Sequence, residues 1–182
     1  MTRWFLICLA LMAGGGALAA ESPPLNKPAP NEPAPDEQAG GKPDGLPLPR
    51  FVSLRTDPVN LRVGPSARYP IEWIYVRRNL PVEIIAEFDT WRRIKDPAGT
   101  EGWVHSTMVS GRRTAMVTGK VQPLLRAMDE KADVVANLEA GVIVAVERCP
   151  RGAGFCRVAA EGVGGWIRRD AIWGVYPEEV IN

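Results

Sequence analysis

The segment EGWVHST, residues 101–107, has a counterpart later in the chain, GVGGWIRRD at residues 162–170. In both segments a glycine precedes a tryptophan, and a β-branched residue follows it. His105, the only histidine of the chain, corresponds to Arg168 in the second segment. Because arginine does not act as a general base, the two segments do not share a catalytic role. We interpret both as the closing strand of a repeated domain, in which glycine makes a turn and tryptophan anchors the domain.

Other short apolar runs recur in the same order, which indicates a duplication. The spacing is about 60 residues early in the copies and about 64 later, so we predict that the second copy has gained residues in one hairpin, the one that holds two cysteines. The matched runs are residues 61–63 with 125–127, 80–82 with 140–142, 91–94 with 155–158, and 102–104 with 165–167.

From Arg50 onward, runs of Val, Ile, Leu and Trp are interrupted by Gly, Pro, Asp or Asn, a pattern typical of small all-β domains. No window keeps a helical period long enough for a substantial helix. We therefore predict two all-β domains, residues 50–113 and 114–182, that pack together because each is near the lower size limit for an independent core. Residues 114–118 are expected to link or bridge them. The predicted strands of the first copy are residues 51–54, 60–63, 73–76, 82–86, 91–95 and 102–104.

The N-terminal part is typical of an export signal followed by a spacer. Residues 1–20 combine a positive start at Arg3, an apolar core and a small-x-small pattern at residues 17–19. The glycines at 14–16 cut the apolar run below the roughly 20 residues of a spanning helix. Residues 21–49 contain nine prolines and predict an extended, disordered linker. We expect a periplasmic protein with no membrane span in its mature form, and a retained anchor is the alternative.

Export affects the interpretation of Cys149 and Cys156, because thiols outside the cytosol become oxidised. The turn-forming residues Pro150, Gly152 and Gly154 lie between them, so a hairpin can bring the two sulfurs together. We predict a structural disulfide that stabilises the fold by about 2 to 3 kcal/mol. The alternatives are a redox pair, which is usually spaced C-x-x-C, and half of a metal site, which needs about four ligands.

Four motifs of the first copy are NLRVGPS at residues 60–66, LPVEII at 80–85, WRRI at 91–94 and EGWVH at 101–105. Together they resemble the bacterial SH3-like domain, a small barrel found in exported and cell-wall proteins. The second copy keeps Leu-Arg at residues 125–126 but has Met-Asp-Glu at 128–130 in place of Gly-Pro-Ser. Its ending, IWGVYPEEV at residues 172–180, is similar to that of a group of exported tandem SH3-like proteins. The resemblance implies two tandem small SH3-like barrels.

Two local predictions accompany these motifs. Residues 64–66, Gly-Pro-Ser, have turn chemistry, in which glycine tolerates a positive φ and proline presets the next residue. In residues 91–95, WRRIK, side chains alternate between two faces. Ile94 and its counterpart Val158 are then core residues, and Trp91 lies on the opposite, partly exposed face.

The chain offers few groups for catalysis. A nucleophile needs an activating base, and His105 has no free cysteine beside it once the two cysteines are joined. Ser106 and Thr107 are better explained as a turn after a strand, and Glu178 and Glu179 as a solvated end. Ligands for a metal and a phosphate-binding glycine loop are lacking. We therefore expect a protein that is not an enzyme and has no metal or cofactor.

Charge and aromatic residues point to binding by the first copy. Residues 50–113 carry 11 basic and 7 acidic side chains, whereas residues 114–182 carry 8 and 9. The whole chain is nearly balanced, which gives no sign of nucleic-acid binding. Rings would supply apolar contact and arginine would pair with a carboxylate, although Trp103 and its counterpart Trp166 have a competing interpretation as core residues. The predicted ligand-binding residues are Tyr69, Trp73, Trp91, Arg93, Trp103 and His105.

The resemblance implies a non-enzymatic periplasmic module that binds cell-wall peptidoglycan through its peptide stems, whose carboxylates would meet the positive charge of the first copy. The alternative is an envelope protein–protein interaction scaffold, in which both copies and the apolar tail residues Trp173, Val175 and Tyr176 contact a partner protein. The competing interpretation of that tail is that it closes the second barrel.

Overall fold

The computed structural model describes residues 45–182. The predicted signal segment, residues 1–20, and all but the end of the predicted linker, residues 21–49, lie outside the described residues. Two antiparallel seven-stranded sheets follow each other along the chain, and each encloses its own hydrophobic core. This confirms the prediction of an all-β protein with two tandem domains.

The two sheets have the same strand order, β3-β2-β6-β5-β4-β1-β7 and β10-β9-β13-β12-β11-β8-β14. Each strand of the second copy is thus the counterpart of the strand seven places earlier. A single 3₁₀ turn precedes the last strand of each sheet, at Ser106–Met108 and Arg169–Ala171. The first sheet consists of β1 (Arg50–Leu54), β2 (Val59–Arg62), β3 (Ile71–Tyr75), β4 (Pro81–Phe88), β5 (Trp91–Lys95), β6 (Glu101–His105) and β7 (Val109–Ser110). The second consists of β8 (Thr114–Val117), β9 (Gln122–Leu125), β10 (Val134–Leu138), β11 (Ile143–Arg148), β12 (Phe155–Ala160), β13 (Val163–Arg168) and β14 (Ile172–Trp173).

The β2–β3 hairpin joins the rest of the first sheet where β6 meets β2, through the pair Trp103 and Arg62. The glycine before the tryptophan allows this contact, since a Cβ on Gly102 would lie 2.6 Å from Cγ of Leu61. Leu61 is fully buried. Gly102 therefore lies within a strand and makes room for a core leucine, which corrects the prediction that it makes a turn.

The β9–β10 hairpin joins the second sheet in the same way, through Trp166 of β13 and Leu125 of β9. A Cβ on Gly165 would lie 2.6 Å from Cγ of Leu124, which is also fully buried. Leu124 is thus the counterpart of Leu61, and the match of residue 61 with residue 125 is wrong by one position. A slip of one residue moves every side chain of a strand to the other face, so only the corrected alignment puts both leucines in the cores.

A second match from the sequence is wrong by two positions. The carbonyl of Leu80 accepts the backbone N–H of Leu54 at 2.9 Å, and that of Val142 accepts the N–H of Val117 at 2.9 Å. Leu54 and Val117 end the first strand of their sheets. The counterpart of Leu80 is therefore Val142 and not residue 140.

The β4–β5 hairpin and its counterpart, β11–β12, are held at the same position by different chemistry. Glu87 and Arg92 face each other and form a buried ion pair, with Arg92 Nε 3.1 Å from Glu87 Oε1. Arg50 also contacts Glu87. Counted from the bulge that both hairpins contain, the equivalent positions are Cys149 and Cys156. They form the predicted disulfide, with the two Cα atoms 4.3 Å apart, so a disulfide replaces an ion pair.

The cysteine hairpin is also the longer one, as the spacing predicted. Residues 149–154 separate its strands, whereas residues 89–90 separate β4 from β5. Its strand β12 places Val158 in the core, as β5 does with Ile94. The alternation predicted for these strands is confirmed.

The two sheets meet at a joint formed by Phe51 of β1 and the aromatic residues that follow β13. The ring centroid of the buried Phe51 lies 4.9 Å from that of Trp173 and 4.6 Å from that of Tyr176. The hydroxyl of Tyr176 donates a hydrogen bond to Oε1 of Glu83 at 2.8 Å. Burial and this bond to Glu83 raise the pKa of Tyr176, which keeps its hydroxyl a donor. The tail residues Trp173 and Tyr176 therefore pack against the first domain of the same chain.

Thr114 forms the second contact of the joint. Its hydroxyl lies 2.6 Å from Oγ of Ser53 and donates to the carbonyl of Asn79 at 2.8 Å. Residues 114–117 are the strand β8 itself, which corrects their assignment as a linker, although Thr114 does bridge the copies as expected.

Glu179 fixes the tail that carries Tyr176. Its carboxylate accepts hydrogen bonds from Nη2 of Arg113 at 2.9 Å and from the backbone N–H of Tyr176 at 3.1 Å. Burial alone would raise the pKa of Glu179, but these bonds and the charge of Arg113 outweigh it and hold the pKa below its ordinary value of 4.5. Farther along, the N–H of Cys149 donates to the carbonyl of Ile181 at 2.8 Å. The disulfide hairpin and the tail thus support each other.

Replacing Gly102 with alanine tests the close contact between β6 and β2. The added Cβ collides with Leu61, and we expect the free energy of unfolding to fall by about 1 to 3 kcal/mol. Gly111→Ala is the matched control, because nothing lies within 4 Å of a Cβ at that position. Urea unfolding of both variants measures the difference, and equal stabilities would contradict the assigned role of Gly102.

The double variant Glu87→Cys, Arg92→Cys tests the equivalence of the two hairpins. We expect the oxidised protein to contain a second disulfide, detected by a mass loss of two hydrogens and by thiol titration. Relative to the control Glu87→Ser, Arg92→Ser, the new bond should stabilise the fold by about 2 kcal/mol. Two free thiols after oxidation would show that the positions are not equivalent.

Truncating Phe51 to alanine tests the joint. Loss of a buried phenylalanine should lower the free energy of unfolding by about 3 to 5 kcal/mol, and amide exchange should rise around Trp173 and Tyr176. Phe88→Ala, at an exposed ring of the same sheet, serves as the comparison and should change little. Equal losses in the two variants would exclude the joint as a source of stability.

Candidate functional site

The candidate site lies on the side of β5 and β6 that faces away from the core. Residues 92 and 94 of β5 and residues 102 and 104 of β6 are buried, so the residues between them point outward. Trp91 pairs directly with His105, and Arg93 pairs with Trp103. The structure therefore brings together four of the six predicted ligand-binding residues. We call these four, with their neighbours Phe88 and Arg62, the outer face.

One row of the outer face is aromatic and crosses three strands. Phe88 of β4 lies opposite Trp91, and Trp91 lies opposite His105. The Trp91 and His105 rings meet edge to face, with centroids 5.5 Å apart and an interplanar angle of 87°. Nδ1 of His105 accepts the backbone N–H of Thr107 at 3.4 Å and lies 2.8 Å from its hydroxyl. In the neutral ring the proton is then on Nε2, which makes that nitrogen a donor.

The neighbouring row is basic and contains Arg93, Trp103 and Arg62. Nη2 of Arg93 lies 3.2 Å from Oε2 of Glu101. Both side chains of this pair are half-exposed, so solvent weakens their attraction. Nη1 of Arg62 donates to the carbonyl of Tyr69 at 2.7 Å. This row thus offers guanidinium groups beside an indole ring.

Tyr69, the fifth predicted residue, lies at the end of the basic row. Its ring covers Gly64, where an added Cβ would lie 2.7 Å from ring carbons. The φ of Gly64 is not in the left-handed region. Glycine is needed here because the Tyr69 ring packs on it, which corrects the prediction of a positive φ.

Trp73, the sixth predicted residue, is separate from the outer face. In the β2–β3 hairpin it lies opposite Leu61, whose side chain points into the core. Residues opposite each other share a side of the sheet, so Trp73 is on the inner side. It remains exposed because β3 is at the edge of the sheet.

The family model described as bacterial SH3 domain matches the chain twice, at residues 55–111 and 118–174. The chain belongs to the bacterial SH3 domain family. This confirms the resemblance noted from the sequence motifs, and each match ends at the last strand of one sheet or just beyond it.

Two solved structures are similar to this bacterial SH3 pair, both from Trichomonas vaginalis. NlpC2 is 13% identical, with a TM-score of 0.32, and the match covers 69% of this chain and 48% of that one. NlpC1 is 13% identical, with a TM-score of 0.30 and coverage of 70% and 46%. The match thus spans less than half of the length of either protein. No curated protein sequence matches the chain.

Comparison of the two bacterial SH3 domains separates what the fold requires from what differs. Arg157 pairs with Trp166 in the second domain as Arg93 pairs with Trp103 in the first. This pair recurs in both domains, so it does not distinguish the first from the second. The first domain differs at four positions of its outer face: Phe88, Trp91, His105 and Arg62 correspond to Pro150, Phe155, Arg168 and Leu125.

A concave region of about 560 Å³ lies in the second bacterial SH3 domain, next to Arg168 and Asp170. Nη2 of Arg168 donates to Asp170 at 2.5 Å, and Nη1 donates to Glu130 at 2.5 Å. The bond from Arg168 holds the pKa of Asp170 below its ordinary value. Arg168 is thus already paired with two carboxylates. Because the aromatic row and the excess of basic residues are found in the first domain, we favour its outer face as the site.

Sequence reasoning missed Phe88 and Arg62 as members of the outer face. Their positions depend on the bulged register of β4 with β5 and on the single pair between β2 and β6.

Among residues 45–182, no three His, Cys, Asp or Glu side chains are grouped to hold a metal ion. In that same part of the chain, no helix is long and apolar enough to cross a membrane.

Proposed function

We propose that this protein is a non-enzymatic periplasmic binding module that recognises the peptide stems of peptidoglycan through the outer face of its first bacterial SH3 domain. Bacterial SH3 domains are modules that bind proteins or cell-wall components. The observation that carries the proposal is the aromatic row of Phe88, Trp91 and His105 beside the basic row of Arg93 and Arg62.

The chemistry of the two rows suits a peptide stem. Indole and phenyl rings offer apolar contact area with little loss of side-chain entropy, and guanidinium groups bind carboxylates with two parallel hydrogen bonds. The first domain has four more basic than acidic residues, 11 against 7 between residues 50 and 113. This excess attracts an acidic polymer over a distance that depends on salt.

Differences between the domains support the choice of the first. Trp91 and Arg62 are replaced by Phe155 and Leu125 in the second domain, which also has one more acidic than basic residue, 9 against 8 between residues 114 and 182. A carboxylate-rich ligand is therefore expected to bind the first domain only, and the second domain provides matched controls.

Two observations support the non-enzymatic role and the periplasmic location that the proposal includes. Nδ1 of His105 is hydrogen-bonded to Thr107, and the equivalent residue of the second domain is Arg168, which cannot act as a general base. The disulfide between Cys149 and Cys156 fits an oxidising compartment such as the periplasm.

A second candidate is a protein-binding role in the envelope. It is favoured by the exposed apolar side chains of edge strand β3. The tail with Trp173 and Tyr176 does not favour it, because those rings pack on Phe51 within the chain.

Binding to insoluble cell wall tests the proposal. The protein should sediment with purified wall at low salt, and Trp91→Ala should weaken binding roughly tenfold or more, as expected for an aromatic contact at the centre of a site. Phe155→Ala is the matched control in the second domain and should bind as the unchanged protein does. Amidation of the wall carboxylates should abolish binding if the stems are recognised through their charge.

Protein that stays in the supernatant at low salt, or an equal loss in both variants, would refute wall binding by the outer face. The same incubations show whether soluble fragments are released. Release that disappears in His105→Ala would overturn the non-enzymatic part of the proposal.

A further inference from the structure

Strand β3 presents an apolar edge to solvent. Four large apolar side chains within six residues are exposed: Ile71 by 44%, Trp73 by 57%, Ile74 by 51% and Val76 by 76%. Within residues 45–182, β2 is the one strand that pairs with β3. The other side of β3 therefore carries backbone N–H and C=O groups without a strand partner. We call residues 71–76 the β3 edge.

Exposed apolar edges are a risk that proteins usually reduce, because a free edge pairs with other extended chains. The β3 edge has one charged residue, Glu72, and a bulge near Ile71. From Trp73 to Val76 it has neither a charge nor a proline. An exposed apolar surface of this kind is typical of an interaction site.

We propose that the β3 edge binds an extended segment of a partner protein as an additional strand, and that this segment has apolar residues at alternate positions and acidic residues at its ends. Backbone hydrogen bonds to the free edge would supply affinity, and Trp73 and Ile74, on opposite sides of the strand, would select the side chains. Ile71 pairs with Arg62 of the outer face, but Trp73, the largest side chain of the β3 edge, lies on the inner side of its hairpin. The inference therefore does not depend on peptidoglycan binding.

Charge at both ends of the β3 edge determines the kind of partner. Arg68 precedes it, and Arg77 and Arg78 follow it. Arg77 donates to the carbonyl of Gly141 at 2.7 Å. In the described part of the chain, the guanidinium groups of Arg68 and Arg78 form no hydrogen bond or ion pair. Complementary charge sets the partner and the register of an interface, so acidic flanks are favoured and basic flanks are disfavoured.

The equivalent edge of the second domain, β10, differs in both respects. Val134 and Val135 are exposed, but the next two residues are alanine and asparagine. Asp133 and Glu139 flank β10 directly, at the places that Pro70 and Val76 hold beside β3. The β10 edge should therefore not bind an acidic segment, and it is an internal control.

A second copy of the chain is a less suitable occupant of the β3 edge. Antiparallel pairing of two β3 edges centred on Trp73 would bring Arg68 of one chain close to Arg78 of the other. Like charges opposite each other are destabilising. Pairing between the β3 edge of one chain and the β10 edge of another is a different outcome. The self-association measurement below distinguishes it from binding of a partner protein.

The experiment uses three synthetic peptides with alternating valine and threonine. One has two aspartates at each end, one has two lysines at each end, and one repeats the first with N-methyl groups on alternate amides. We expect the acidic peptide to slow amide hydrogen exchange at residues 71–76, measured by NMR. The basic peptide should bind at least about tenfold more weakly, and the N-methylated peptide should not bind because it cannot complete the ladder of backbone bonds.

Variants give a second, independent readout. Trp73→Thr should weaken binding of the acidic peptide roughly tenfold, whereas Val135→Thr on β10 should not. Arg78→Glu changes an exposed side chain, leaves the core intact and should reverse the preference between acidic and basic peptides. Trp91→Ala should leave peptide binding unchanged, so that failure of this proposal and failure of wall binding can be told apart.

Equal binding of the acidic and basic peptides, protection of β10 in place of β3, or no binding of the acidic peptide would overturn the proposal. Self-association of the protein, measured by sedimentation and lost in Trp73→Thr, would assign the edge to a second copy and would likewise overturn it.

Discussion

The contact between Gly102 and Leu61 is the constraint on which the first domain depends. β6 approaches β2 so closely that a Cβ does not fit between them, and this approach joins the β2–β3 hairpin to the rest of the sheet. In the same register, Gly102 faces the core and Trp103 and His105 point outward. The same constraint recurs at Gly165 in the second domain, which is why the glycine–tryptophan pair is the clearest repeated feature of the chain.

Within this shared frame the two domains are stabilised differently. The first holds its central hairpin with a buried ion pair of Glu87 and Arg92, and buried charges need further partners, which Arg50 supplies. The second holds it with a disulfide that adds no charge. The tail then joins the domains through Phe51. One domain thereby keeps two distinct exposed surfaces, the outer face and the β3 edge, while the aromatic residues of the tail are used internally.

Part of the candidate site could be predicted from sequence alone. Strand alternation at residues 91–95 separates the buried from the exposed side chains, so Trp91 was placed correctly from the pattern. Trp73 could not be placed in this way, because its face depends on the pairing of β3 with β2 and on a bulge between them. Phe88 was missed for the same reason. Local periodicity assigns a residue to one side of its own strand, but pairing decides which neighbours it has.

The sequence by itself determined the all-β class, the duplication, the disulfide and the lengthening of its hairpin, because each follows from local alternation, turn residues or spacing. The tertiary structure decided the true alignment of the copies, the reason for Gly102 and Gly64, and the use of the tail in the joint. These depend on distances between residues far apart in the chain, such as Gly102 and Leu61. A shift of one residue in strand pairing is nearly invisible in a sequence pattern, yet it exchanges the core face for the solvent face.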